Sequence, residues 1–110
     1  MPVYWVSAVS KGERLGAVSR LVKGEGTPQQ LATARSAAHI ALDSRFVYYG
    51  AEHVRILRVP KQGGTAEVVV RSSRDLGPAR ALAVDDRFLY WTVGGKSAQL
   101  TNVLRLEKPP

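Results

Sequence analysis

The 110-residue sequence contains no cysteine, and this absence excludes disulfide frameworks, thiolate zinc sites and cysteine nucleophiles. No apolar run approaches the roughly 18 residues that a membrane-spanning helix requires. Residues 1–5 have neither the basic start nor the apolar core of a signal peptide. We therefore expect no membrane span, and nothing in these residues directs export.

The chain is basic, but it lacks a basic cluster. It has 16 Lys and Arg against 9 Asp and Glu, which gives a net charge of +7. The arginines are spread along the whole sequence, with no run of five or six basic residues. A nucleic-acid interface would have to assemble from scattered positions, so the sequence predicts no specific nucleic-acid partner.

An internal repeat is the clearest feature that is present. Residues 40–49 return almost position by position as residues 82–91, and the last three matched positions also occur as residues 3–5. A second repeated element has the form Arg-apolar-x-Lys and begins at Arg20, Arg58 and Arg105. Two interleaved elements in a fixed order indicate a protein built from similar structural units.

Each unit contains short stretches rich in β-branched, aromatic and aliphatic residues. Residues 40–42 and 46–49 predict the two strands of a hairpin, and residues 54–60 and 66–71 predict two more strands. Pro60 and the following Gln-Gly-Gly sequence predict the turn that separates the last two strands.

Two aspartates occupy the same position in successive units. Asp43 and Asp85 stand where a short carboxylate can accept a hydrogen bond from the backbone N–H two residues further on. We interpret both as turn residues in preference to catalytic acids.

Four short strands in a unit of about 40 to 45 residues are typical of a β-propeller blade. We therefore expect an all-β fold, a partial β-propeller of about two and a half four-stranded antiparallel blades with ten strands in all. Residues 1–38 would supply strands two to four of a first blade. Residues 39–80 would form a complete middle blade, and residues 81–110 the first three strands of a third.

The sequence resembles a known repeat family. The pattern apolar-Ala-apolar-Asp, followed by apolar-Tyr-Trp and by Arg-Val-Pro-Lys with a Gly-Gly turn, is similar to the YWTD-type repeats of six-bladed propellers. It is most similar to bacterial repeats with RVPK-x-GG turns. The three Tyr-containing copies at residues 4–7, 48–51 and 90–93 lack the terminal Asp of that motif.

The resemblance implies a non-enzymatic binding or scaffold module, extracytoplasmic, with a protein or carbohydrate ligand. Closed propellers typically have about four to eight blades, so one copy of this chain cannot close a ring. Two copies would still lack strands that a six-bladed ring needs. We expect a fragment of a larger protein, whose remaining blades come from a longer chain or from self-association.

An enzyme is the alternative. Propeller enzymes similar to lactone hydrolases hold a metal at the central axis with carboxylate, Asn and His ligands from several blades. The two histidines here occupy different repeat positions, and no ligand spacing appears. The sequence therefore favours a non-enzymatic protein without a cofactor. The candidate ligands would be Asp43, Asp85, Asp86, Asn102, His39 and His53.

Two connections are longer than their counterpart in the middle unit. The step from the Tyr-Trp strand to the next repeated arginine is 9 residues in the middle unit, against 15 in the first and 14 in the third. Insertions of this kind lie in loops and often carry binding function. We predict binding loops at residues 10–14 and 94–101, with Lys11, Glu13, Arg14, Lys96 and Gln99 as candidate contact residues.

Overall fold

The computed structural model describes residues 2–10, 15–22, 24, 26–35, 37–51, 55–71, 79–94 and 101–109. These residues form ten β-strands, so the expected all-β class is confirmed. Within the described ranges there is no helix that could cross a membrane. The strands are β1 (Pro2–Ser10), β2 (Leu15–Val22), β3 (Gln29–Arg35), β4 (Ala38–Leu42), β5 (Phe46–Ala51), β6 (Arg55–Pro60), β7 (Glu67–Arg71), β8 (Ala79–Val84), β9 (Phe88–Gly94) and β10 (Thr101–Glu107).

The strands form three separate antiparallel sheets in chain order. Sheet 1 has the order β1-β2-β3, sheet 2 the order β4-β5-β6-β7, and sheet 3 the order β8-β9-β10. Within each sheet, every strand pairs with the next strand in the sequence. Local turn chemistry therefore determines most of the pairing.

The turn after β6 shows how the sequence ends a strand. Pro60 is the last residue of β6, and its carbonyl accepts a hydrogen bond from the N–H of Gly63 at 2.9 Å. Gly63 and Gly64 have φ angles of +102° and +139°, which residues with a β-carbon rarely adopt. The predicted Gly-Gly turn is confirmed.

The sequence repeat is also a repeat of strand register. In all three sheets the repeated tyrosine lies opposite the repeated arginine. A register shift falls after the equivalent residues Val18 and Ile56, in the last pairing of sheet 1 (β2 with β3) and of sheet 2 (β6 with β7). The matched pairs are Tyr4–Arg20, Tyr48–Arg58 and Tyr90–Arg105.

Sheet 2 packs between the other two sheets. Successive side chains of a strand point to opposite faces, so in β5 Val47 and Tyr49 pack towards sheet 1, whereas Tyr48 packs towards sheet 3. Full burial of an aliphatic or aromatic side chain of this size contributes roughly 1.5–3 kcal/mol. The buried clusters are Val18, Leu31, Val47, Tyr49 and Val59 at the first junction, and Tyr48, Ile56, Leu89 and Trp91 at the second.

In the first of the two longer connections, part of the predicted loop belongs to the strands. β1 and β2 contain 9 and 8 residues, against 6 each in β5 and β6. Ser10 belongs to β1, and Gly94 and Thr101 belong to β9 and β10. The extra residues continue the antiparallel ladder because pairing satisfies their backbone hydrogen-bonding groups.

Candidate interaction surface

Asp43 organises the turn between β4 and β5. Its Oδ1 accepts hydrogen bonds from the N–H groups of Arg45 at 2.8 Å and Phe46 at 2.7 Å. The N–H of Asp43 in turn donates to the carbonyl of Phe46 at 3.1 Å. The predicted role of this aspartate in a turn is confirmed.

The other carboxylate oxygen of Asp43 joins two sheets. Oδ2 accepts hydrogen bonds from the hydroxyl of Tyr48 at 3.0 Å and from the ammonium of Lys108, which follows β10, at 3.1 Å. Burial alone would raise the pKa of Asp43. The bonds from the N–H groups of Arg45 and Phe46, from Lys108 and from Tyr48 outweigh burial and hold the pKa below its ordinary 3.8. The carboxylate is therefore ionised at neutral pH and forms an ion pair across the second junction.

Arg58 connects the same two sheets from β6. Its guanidinium is buried, lies 4.0 Å from the ring centroid of Phe46 and pairs with Glu67. Its Nη1 donates to the carbonyl of Pro109 at 3.1 Å. Burial would lower the pKa of Arg58, but hydrogen bonds with Tyr48 and Glu67 outweigh it and raise the pKa. A permanently charged, well-paired group thus fixes the end of sheet 3 against sheet 2.

The first junction uses the equivalent residues. Arg20 donates from Nη1 to the carbonyl of Lys61 at 3.0 Å and from Nε to Oε1 of Gln29 at 2.8 Å. The ammonium of Lys61 lies 5.5 Å from the ring centroid of Tyr4. At both junctions, an arginine of the earlier sheet binds a carbonyl just after a strand of the later sheet. A lysine of the later sheet reaches back to the tyrosine region of the earlier one.

Sheet 3 carries a second copy of the Asp43 arrangement on its outward side. Oδ1 of Asp85 accepts hydrogen bonds from the N–H groups of Arg87 at 2.8 Å and Phe88 at 2.7 Å, and Oδ2 accepts one from the hydroxyl of Tyr90 at 2.8 Å. Arg105 lies 4.7 Å from the ring centroid of Phe88. The geometry within the sheet therefore matches that around Asp43.

The copy around Asp85 differs in what covers it. Asp85 is exposed, and no lysine or arginine in the described part of the chain forms a salt bridge with it. Hydrogen bonds from the N–H groups of Phe88 and Arg87 and from Tyr90 hold its pKa below 3.8. The result is an ionised carboxylate on an open sheet face.

Exposed valines mark the two outward faces. Val103 is 70% exposed, whereas the equivalent residues Val18 and Ile56 are buried at the junctions. Val3 is 61% exposed, whereas its equivalents Val47 and Leu89 are buried. We call Ala83, Tyr90, Val103 and Arg105 of sheet 3 the far face, and Val3, Trp5 and Leu21 of sheet 1 the near face.

An open pocket lies beside these turns on sheet 2. It has a volume of about 310 Å³ and is lined in part by Arg45, Phe46, Pro60 and Lys61. Two cations among its lining residues favour an anionic ligand. Its lining is a turn surface, and we consider it weaker than the two faces as a candidate site.

The predicted contact residues Lys11, Glu13, Arg14, Lys96 and Gln99 lie outside the described residues. So does His53, and the side chain of Asn102 is likewise not described.

The remaining candidate metal ligands do not form a cluster. Asp43 and Asp85 are engaged in turns, and Asp86 is an exposed residue of the second turn. His39 is exposed and has a φ of +55° at an irregularity in the pairing of β4 with β5. Within the described ranges, no three His, Asp or Glu side chains converge as metal ligands would.

The sequence predicts neither the contacts between sheets nor, within a sheet, the hydrogen bonds that Tyr48 and Tyr90 donate to the aspartate five residues earlier. The signal was present in the constant spacing of Asp before Tyr and of Lys three residues after Arg. Spacing within one unit does not identify a partner in the next unit.

Comparison with protein-family models and with curated protein sequences gives no match to this chain.

Proposed function

We propose that the chain is a segment of a β-propeller and acts as a non-enzymatic binding or scaffold module, with sheets 1 to 3 as successive blades. The observation that carries this proposal is the repeated junction contact. Arg20 binds the carbonyl of Lys61, and the equivalent Arg58 binds the carbonyl of Pro109, next to the equivalent Lys108.

The placement of the first strands supports the same proposal. β4 lies against β8, and β1 also contacts β4. In a propeller the four-stranded sheets surround a central channel, so the innermost strands of successive blades are neighbours. β4 and β8 are the first strands of their repeat units, which is the position expected for an innermost strand.

A binding role has more support than the enzyme alternative. Both repeated carboxylates accept hydrogen bonds from turn N–H groups and from a tyrosine hydroxyl. Lowered pKa values keep them ionised at neutral pH, which does not suit a general acid. The partners proposed are further blades, from a longer chain or a second copy, and a protein or carbohydrate ligand at the predicted loops, residues 10–14 and 94–101.

Insertion of a second copy of residues 39–80 after residue 80 tests the repeat architecture. If the sheets are interchangeable blades, Lys61 of the added unit pairs with Asp43 of the original middle unit, and Asp43 of the added unit pairs with Lys108. Both new junctions then reuse contacts of the kind that the chain already makes. We expect a folded chain with a proportionally larger β-sheet signal in circular dichroism and cooperative unfolding.

The matched control is an insert of the same composition in scrambled order, which should remain unfolded within the chain. An authentic insert that leaves the β-sheet signal at the wild-type level, or that unfolds the chain, would contradict the proposed architecture.

A further inference from the structure

The outward faces of sheets 1 and 3 are the two complementary sides of one type of junction. The far face presents Tyr90, Arg105 and Val103, whose equivalents in sheets 1 and 2 lie at the junction with the next sheet. The near face presents Val3 and Trp5, equivalent to Val47 and Tyr49, which sheet 2 buries against the preceding sheet. One chain therefore carries both halves of a contact that it already makes twice internally.

The surface area is consistent with incomplete burial. The chain exposes 7213 Å². A compact monomer of its 12.0 kDa mass would expose roughly 6,000 Å². The excess, roughly 1,200 Å², reaches the lower end of the total area buried in stable protein–protein interfaces.

The negative charge of Asp85 indicates that a partner of the far face should supply a cation. The ammonium of Lys108 lies 3.1 Å from Oδ2 of Asp43, whereas no lysine or arginine in the described part of the chain forms a salt bridge with the equivalent Asp85, on which Lys108 acts only as a more distant charge. In the sequence, Lys23 follows Arg20 by three residues, as Lys61 and Lys108 follow their arginines. The repeat unit of sheet 1 in a second copy thus contains the lysine that an Asp85 junction calls for.

We infer that two copies of this chain associate head to tail, with the far face of one copy packed on the near face of the other. This inference rests on the proposed function, because it treats the outward faces as blade faces. The contact is heterologous, so each bound copy leaves one face of each kind open. Further copies extend the assembly until it closes into a ring or continues as an open chain.

Two single variants separate this geometry from other modes of association. Val103→Glu places a charge on the far face only, and Val3→Glu places one on the near face only. Both positions are exposed, so circular dichroism and thermal unfolding should remain close to wild type. Ser44→Glu, at an exposed turn of sheet 2, is the matched control for the added charge.

Sedimentation equilibrium from micromolar to submillimolar concentration gives the readout. We expect the mass of the wild-type and Ser44→Glu chains to rise above 12.0 kDa, and each face variant alone to remain at that mass. An equimolar mixture of the two face variants should form a 1:1 complex of twice the chain mass, since one intact face of each kind remains. Asp85→Asn, which retains the turn acceptor, should weaken wild-type association by roughly two- to fivefold.

A wild-type chain that stays monomeric throughout this range would overturn the inference. So would a face variant that still self-associates alone, or a mixture that forms no complex. If the insertion of residues 39–80 folds while self-association fails, the blade architecture stands and the second copy is not the occupant of these faces.

Discussion

The regions around Asp43 and Asp85 are two copies of one local structure in different surroundings. Each carboxylate accepts hydrogen bonds from two turn N–H groups and from a tyrosine hydroxyl. The donor–acceptor distances differ by at most 0.2 Å between the two copies. Asp43 also pairs with Lys108 beneath the end of sheet 3. Asp85 remains exposed in the turn beside the far face.

Some contacts form within a single unit, and others form only where a neighbouring unit is present. The turn and the Asp–Tyr hydrogen bond form in both copies, so they do not need a later sheet to cover them. The ion pair with lysine and the burial of the repeated arginine occur only where a later sheet covers the site. Substitutions at equivalent positions should therefore have unequal effects.

The largest difference is expected for the aliphatic position two residues before the repeated arginine. Ile56→Ala removes a buried side chain from the second junction and should lower the free energy of unfolding by about 2–5 kcal/mol. Val103→Ala changes an exposed side chain and should cost less than about 0.5 kcal/mol. Urea unfolding, at a concentration low enough to keep the chain dissociated, measures both, and equal losses would contradict the burial of one face alone.

A smaller difference is expected for the two aspartates. Asp43→Asn keeps an acceptor for the turn N–H groups but removes the charge that Lys108 faces. We expect a loss of about 1–3 kcal/mol, because a partly buried ammonium is left without its partner. Asp85→Asn should have a clearly smaller effect, since Asp85 is exposed and no described lysine or arginine forms a salt bridge with it.

The pH dependence of unfolding sharpens the same comparison. The pKa of Asp43 is lower in the folded state, so its contribution is complete above the unfolded value near 3.8 and is lost as the pH falls through the lower folded value. Asp43→Asn should therefore flatten the decline in stability below pH 3.8, measured by urea unfolding at a series of pH values. An unchanged acid profile in this variant would show that Asp43 does not stabilise the junction.

Local structure could be predicted from the sequence because it depends on neighbouring residues. Asp43, Pro60 and the two glycines after Gln62 identified turns from their own backbone preferences, and the strands predicted at residues 54–60 and 66–71 agree with β6 and β7 to within one residue. The all-β class followed from the same features.

Contacts between sheets could not be predicted in this way. Lys108 and Asp43 are 65 residues apart, and their contact depends on how two sheets stack. The positive φ of His39 likewise depends on an irregularity in strand pairing that no residue type in β4 signals. The sequence repeat predicts that units are alike, but it does not specify which side chains meet across a junction.

Methyl–methyl nuclear Overhauser effects in the Val103→Glu chain test the stacking order most directly, because this variant keeps both internal junctions. The structure predicts methyl cross-peaks between the sheets within each buried cluster: from Val18 or Leu31 to Val47 or Val59 across the first junction, and from Ile56 to Leu89 or to the adjoining Leu82 and Leu104 across the second. It predicts none between Val18 and Leu89, since sheet 2 lies between them. Cross-peaks between Val18 and Leu89, or the absence of cross-peaks at either junction, would contradict the order of sheets on which this account depends.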